Sequence, residues 1–97
     1  MHRASTDVLD PVSKQVISSL SAVTAASLTV PENASRAKIS VESQAIRYYE
    51  TGDNPTTTDG HPQASGTTFF VEGRNALRLL RLISQSASAK LTVTYYR

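Results

Sequence analysis

The chain has 97 residues, enough for one domain with a single modest core. It carries ten Lys and Arg against eight Asp and Glu, a net charge of +2 and a sequence pI near 9.2, but no basic run of the kind that marks a nucleic-acid surface. It has no cysteine, which excludes a disulfide framework, thiolate metal sites and thiol nucleophiles.

The apolar fraction is 39%, with Ser, Thr and Ala filling much of the rest, a mixture that suits a thin two-layer fold. No segment approaches the roughly 18–20 consecutive apolar residues of a membrane span. The start, Met1-His2-Arg3-Ala4-Ser5-Thr6-Asp7, lacks the apolar region of a signal peptide, so the expectation is a protein made and assembled in the cytosol.

Residues 1–13 read as a polar arm, with Val8, Leu9 and Val12 its apolar members, and residues 14–97 as one β domain. Residues 14–20 hold Val16, Ile17 and Leu20 among serines. One helical turn fits that spacing, and a strand fits the composition better. Ser27-Leu28-Thr29-Val30 predicts a strand stopped by Pro31, followed by a turn at residues 32–35.

The clearest alternation follows. Ala37, Ile39 and Val41 interleave with Arg36, Lys38, Ser40 and Glu42, which predicts a half-buried strand. After a break at Ser43-Gln44 the pattern resumes over residues 45–50, with Ile46 and Tyr48 in one row and Arg47 and Tyr49 in the other.

Residues 51–67 form a long loop holding three of the four glycines and two of the four prolines, with a short extended piece expected at residues 56–58. Thr68-Phe69-Phe70-Val71 predicts a strand ended by Glu72-Gly73. Residues 77–83 fit either period. A helix would line up Leu77, Leu80 and Ile83; a strand, favoured here for its shortness and its flanks, would turn Leu77 and Leu79 inward and Arg78 and Leu80 outward. A serine-rich turn leads to a final strand, with Leu91, Val93 and Tyr95 inward and Lys90, Thr92, Thr94 and Tyr96 outward. Seven to eight short antiparallel strands with turns between them, and no required helix, predict an all-β single domain of β-sandwich, jelly-roll or small-barrel type.

A search for chemistry returns little. His2 and His61 have no spaced partners for a zinc set, and no calcium-loop spacing exists around Asp53 and Asp59. There is no Gly-x-Ser-x-Gly elbow and no phosphate-binding glycine loop; Asp59-Gly60-His61 reads as turn chemistry. Glu42, Glu50 and Glu72 fall at strand edges or beside turns, where solvated charge is the default. No catalytic, cofactor or metal residue is assigned, and the expectation is a protein that is not an enzyme and takes no small-molecule substrate.

Arg47-Tyr48-Tyr49 and Tyr95-Tyr96-Arg97 interleave basic and aromatic residues. They suit stacking on single-stranded nucleic acid or a sugar, but the limited stock of aromatics favours one tyrosine of each pair in the core and the other outward. The outward members, Tyr49 and Tyr96, and the flanking Arg47 and Arg97 are candidate interface anchors.

Three segments carry a resemblance: Leu28-Thr29-Val30-Pro31, Ala34-Ser35-Arg36-Ala37-Lys38-Ile39 and Val41-Glu42-Ser43-Gln44-Ala45-Ile46-Arg47-Tyr48. So do the loop Gly52-Asp53-Asn54-Pro55-Thr56-Thr57-Thr58-Asp59-Gly60 and the terminal Ala89-Lys90-Leu91-Thr92-Val93-Thr94-Tyr95-Tyr96. Together they resemble small tailed-phage virion structural proteins over residues 27–97, the loop and the terminal strand being the most specific parts. The stretch Gly66-Thr67-Thr68-Phe69-Phe70 is more aromatic than that group's pattern.

The resemblance implies a compact β fold and a non-enzymatic virion role, assembled in the host cytoplasm. The leading expectation is a capsid decoration (cement) protein that binds the major capsid protein of the assembled head, as a homo-oligomer. A tail, neck or fibre component is one alternative, and a carbohydrate- or nucleic-acid-binding β module another. Contact is expected through the arm, through the long loop at Asn54, Pro55 and Thr56, and through the Arg and Tyr anchors; no membrane partner is implied.

Overall fold

The computed structural model describes residues 10–86 and 88–97, so most of the expected arm (residues 1–9) lies outside the described residues. Seven strands and one short helix follow in order: β1 (Pro11–Leu20), β2 (Arg36–Glu42), β3 (Ile46–Tyr49), β4 (His61–Gln63), β5 (Thr68–Glu72), α1 (Arg74–Leu79), β6 (Arg81–Ser84) and β7 (Ala89–Tyr96). They form two antiparallel sheets, one of four strands in the order β1-β7-β2-β5 and one of three in the order β4-β3-β6. The fold is the all-β, sandwich-like domain that the alternating pattern predicts.

The strongest alternations produce the central strands. In β2, Ala37, Ile39 and Val41 are buried, and in β7 so are Leu91, Val93 and Tyr95. The two strands pair through Ala37↔Tyr95, Ile39↔Val93 and Val41↔Leu91, so their apolar rows share one face. Across from them Ile46 and Leu82 close the core from the smaller sheet. Tyr48 packs against this core and stacks on Phe69, ring centroids 4.6 Å apart.

Four expectations change. The first strand begins at Pro11, so residues 11–13 belong to the sheet and not to an arm. The segment 27–30 joins no ladder. Leu28 is buried as its alternation implies, but the neighbouring Ala26 makes a single bridge to Leu82 and the Thr29 N–H bonds the Gln15 side chain instead of a strand. Period two reports which side chains are buried, not whether the backbone finds a partner.

In the long loop, the strand falls at His61–Gln63 and not at residues 56–58, and the chain bends over residues 57–60. Thr56 and Asp59 close that bend through Thr56 N→Asp59 O at 2.8 Å. Pro62 is tolerated in β4 because this strand lies at a sheet edge, where a missing N–H costs no ladder bond.

The leucine-rich stretch divides into a helix and a strand, with Leu80 in extended conformation (φ −61, ψ 131) between them. Leu77 and Leu80 are both fully buried while Leu79 is 44% exposed, the reverse of the strand expectation for Leu79 and Leu80. Spacing of three residues on one turn puts Leu77 and Leu80 on the same side.

Candidate functional site

The 51–60 loop is folded onto β3 by the two outward residues of that strand. Arg47 Nε donates to the Thr57 carbonyl at 3.2 Å and Nη1 to the Gly60 carbonyl at 2.8 Å. The Tyr49 hydroxyl donates to Asp59 Oδ1 at 2.8 Å. That bond first, then burial and the charges of Asp59 and Asp53, raise the Tyr49 hydroxyl above its ordinary pKa, with Arg47 opposing. The His61 ring lies 5.6 Å from that of Tyr48 and 5.7 Å from that of Tyr49.

Gly60 makes this fold possible. Its φ of +131 is disfavoured for other residues, and an added Cβ would stand 3.0 Å from Pro55 Cβ and 3.2 Å from Arg47 Cβ. Pro55 is buried beneath the loop, so it serves as the floor on which Gly60 closes and offers no contact surface of its own. Asn54 and Thr56 remain exposed, together with Thr57 and Thr58. Arg47 gives its Nε–H and one Nη1–H to loop carbonyls, so it fixes the shape of the loop from β3.

Tyr96 and Arg97 lie on the other sheet. Tyr96 sits between Pro11 of β1 and Arg36 of β2, half-buried, and its carbonyl accepts the Ser35 N–H at 2.7 Å. Arg97 is exposed, and its N–H donates to the Asp10 carbonyl at 3.2 Å. The two basic-aromatic pairs therefore form two separate features on two sheets, and each sends one tyrosine outward as the sequence implies.

The outer face of the four-stranded sheet holds a cluster that sequence reading passed over. The Arg36 guanidinium lies over the Phe70 ring, 4.2 Å from its centroid, and Arg36 Nε is 3.7 Å from Glu72 Oε2, too long for a hydrogen bond. Register places Lys14, Thr94, Lys38 and Phe70 side by side across all four strands, and Tyr96 and Arg36 in the adjoining row. The signal was present in Phe69-Phe70: in a strand, two consecutive aromatics must face opposite ways, and Phe70 is 47% exposed.

Among the described residues, no three His, Asp or Glu side chains gather closely enough to share a metal ion. No protein-family model, curated protein or solved structure matches the chain.

Proposed function

We propose that this chain is a non-enzymatic structural protein of a virion, acting as a decoration protein that docks on an assembled head. The single observation that carries the reading is the ordered 51–60 loop. With the terminal strand, this is one of the two most specific parts of the resemblance to small phage virion proteins, and here Arg47, Tyr49 and Gly60 hold it folded onto β3 with Asn54 and Thr56 exposed. A loop ordered before contact loses little conformational entropy on binding, which favours a docking role. Binding only to the assembled shell stabilises the shell by mass action.

The test is co-sedimentation with purified shells. Replacing Asn54 and Thr56 by alanine weakens binding about tenfold or more, with circular dichroism and urea unfolding to check that losing the Thr58 N–H bond to the Thr56 hydroxyl (3.3 Å) leaves the fold intact. Unchanged affinity of the double variant would remove the loop from the contact, and no sedimentation of the wild-type chain would remove the decoration reading itself. A tail, neck or fibre position is the same structural role in few copies, and copy number per particle separates the two.

One observation favours a second reading, a nucleic-acid-binding module. Lys14, Arg36 and Lys38 interleave with Phe70 and Tyr96 on one sheet face, the arrangement that stacks bases and pairs phosphates. Tight oligonucleotide binding that weakens steeply with salt supports it; absence of binding at low salt rejects it.

A further inference from the structure

Two open sheets have four edges, and three of them are protected. β6 is covered by the chain leaving β1, through Ser84 N→Ser21 O at 2.9 Å and the Ala26–Leu82 bridge. β4 is three residues long and contains Pro62. β1 carries Lys14 and register shifts at both ends, between Pro11 and Ser13 and between Ile17 and Leu20. Short length, proline, an edge lysine and bulges are the devices by which sheet edges avoid pairing with other chains.

β5 has none of them. Its five residues, Thr68-Phe69-Phe70-Val71-Glu72, pair with β2 in unbroken register, and among the described residues no backbone hydrogen bond reaches the opposite edge. The helix α1 leaves β5 through Gly73, whose N–H donates to the Ser35 carbonyl on the β2 side at 2.7 Å, and the helix touches β2 as well as β5. The strand is rich in β-formers, and Phe70 is left 47% exposed.

We infer that the free edge of β5 pairs antiparallel with β5 of a second copy about a two-fold axis at Phe70, joining the four-stranded sheets into one continuous eight-stranded sheet. The strand is self-complementary in that register. Phe70 faces Phe70 of the second copy on the outer side, an aromatic cross-strand pair. Phe69 faces Val71 on the inner side, so the apolar row beneath the sheet continues across the axis. Glu72 faces Thr68, so the two carboxylates stand at opposite ends and no like charges meet. A closed two-fold contact of this kind consumes the edge and ends at the dimer. The inference is independent of the virion reading and stands if that reading fails.

Because the chain has no cysteine, Phe70→Cys supplies one unambiguous thiol. Directly opposed antiparallel residues have Cα atoms about 4.5–5.5 Å apart, within the roughly 4.4–6.8 Å a disulfide spans. Val16→Cys, on the protected β1 edge and 51% exposed, is the control. The expected results are a species of twice the 10.5 kDa chain mass in a light-scattering concentration series, disulfide formation at least about tenfold faster for Phe70→Cys than for Val16→Cys, and a dissociation constant raised at least about tenfold by Phe70→Lys. A monomer at every concentration, with the two cysteine variants oxidising at equal rates, would overturn the inference. So would a dimer that Phe70→Lys leaves intact, or one trapped by Val16→Cys instead.

Discussion

The Tyr95 hydroxyl donates to Gln15 Oε1 at 2.5 Å, and the same oxygen accepts the Thr29 N–H at 3.0 Å. One amide on the edge strand β1 thus satisfies the largest fully buried side chain of the core and anchors the 26–30 segment, which has almost no ladder of its own. Removing the acceptor strands two donors, whereas removing the hydroxyl strands none that lack another partner. Gln15→Ala is therefore expected to cost about 1–3 kcal/mol, and Tyr95→Phe about 1 kcal/mol, in urea unfolding. Equal costs would show that Gln15 acts only through Tyr95.

Burial raises the Tyr95 phenol from 10.0 to about 12. Below pH 10 the phenol is neutral in both the folded and the unfolded chain, and its contribution is fully present. Between pH 10 and pH 12 the unfolded chain ionises first, and stability falls by an amount on the order of 2–3 kcal/mol. Thermal melts from pH 9 to pH 12 test this: Tyr95→Phe should flatten the alkaline decline, and an unchanged decline would assign it to other groups.

Leu77 and Leu79 separate the helical from the extended reading of their segment. Leu77→Ala removes a fully buried side chain and is expected to cost about 2–5 kcal/mol. Leu79, 44% exposed, should tolerate alanine within about 0.5 kcal/mol. Chemical denaturation of the two variants reads the difference directly.

What could be read in the sequence depended on where the decisive contact lay. The strands β2 and β7 were legible because each keeps one row in the core and one in water, so alternation alone encodes them. The four leucines between residues 77 and 82 satisfy both periods, and only the packing of Leu77 and Leu80 together decides between them. The segment 27–30 has the correct inward residue at Leu28 without a strand, because its N–H at Thr29 is claimed by a side chain fourteen positions earlier. At the candidate site, Arg47 and Tyr49 were legible as outward residues. Their bonds to Thr57, Asp59 and Gly60 were not, because they close across ten to thirteen positions that carry no periodic signal. The burial of Pro55 is hidden for the same reason: it depends on Gly60 folding back over it.

Gly60 tests the loop directly. Gly60→Ala meets both a φ of +131 and a 3.0 Å approach to Pro55, and is expected to destabilise the protein by about 1–3 kcal/mol. Amide exchange should accelerate at residues 56–60 well before the central strands β2 and β7 respond. Uniform acceleration across the sheets would instead mean that the loop and the core open as one unit.

The most direct test of the virion role is the number of copies of this chain, relative to the major shell protein, in particles purified from cultures expressing it from its native locus, counted by quantitative mass spectrometry. A number comparable with the shell protein is the predicted result for a decoration protein. Absence from the particles would contradict the structural role and leave the basic-aromatic sheet face as the feature to pursue.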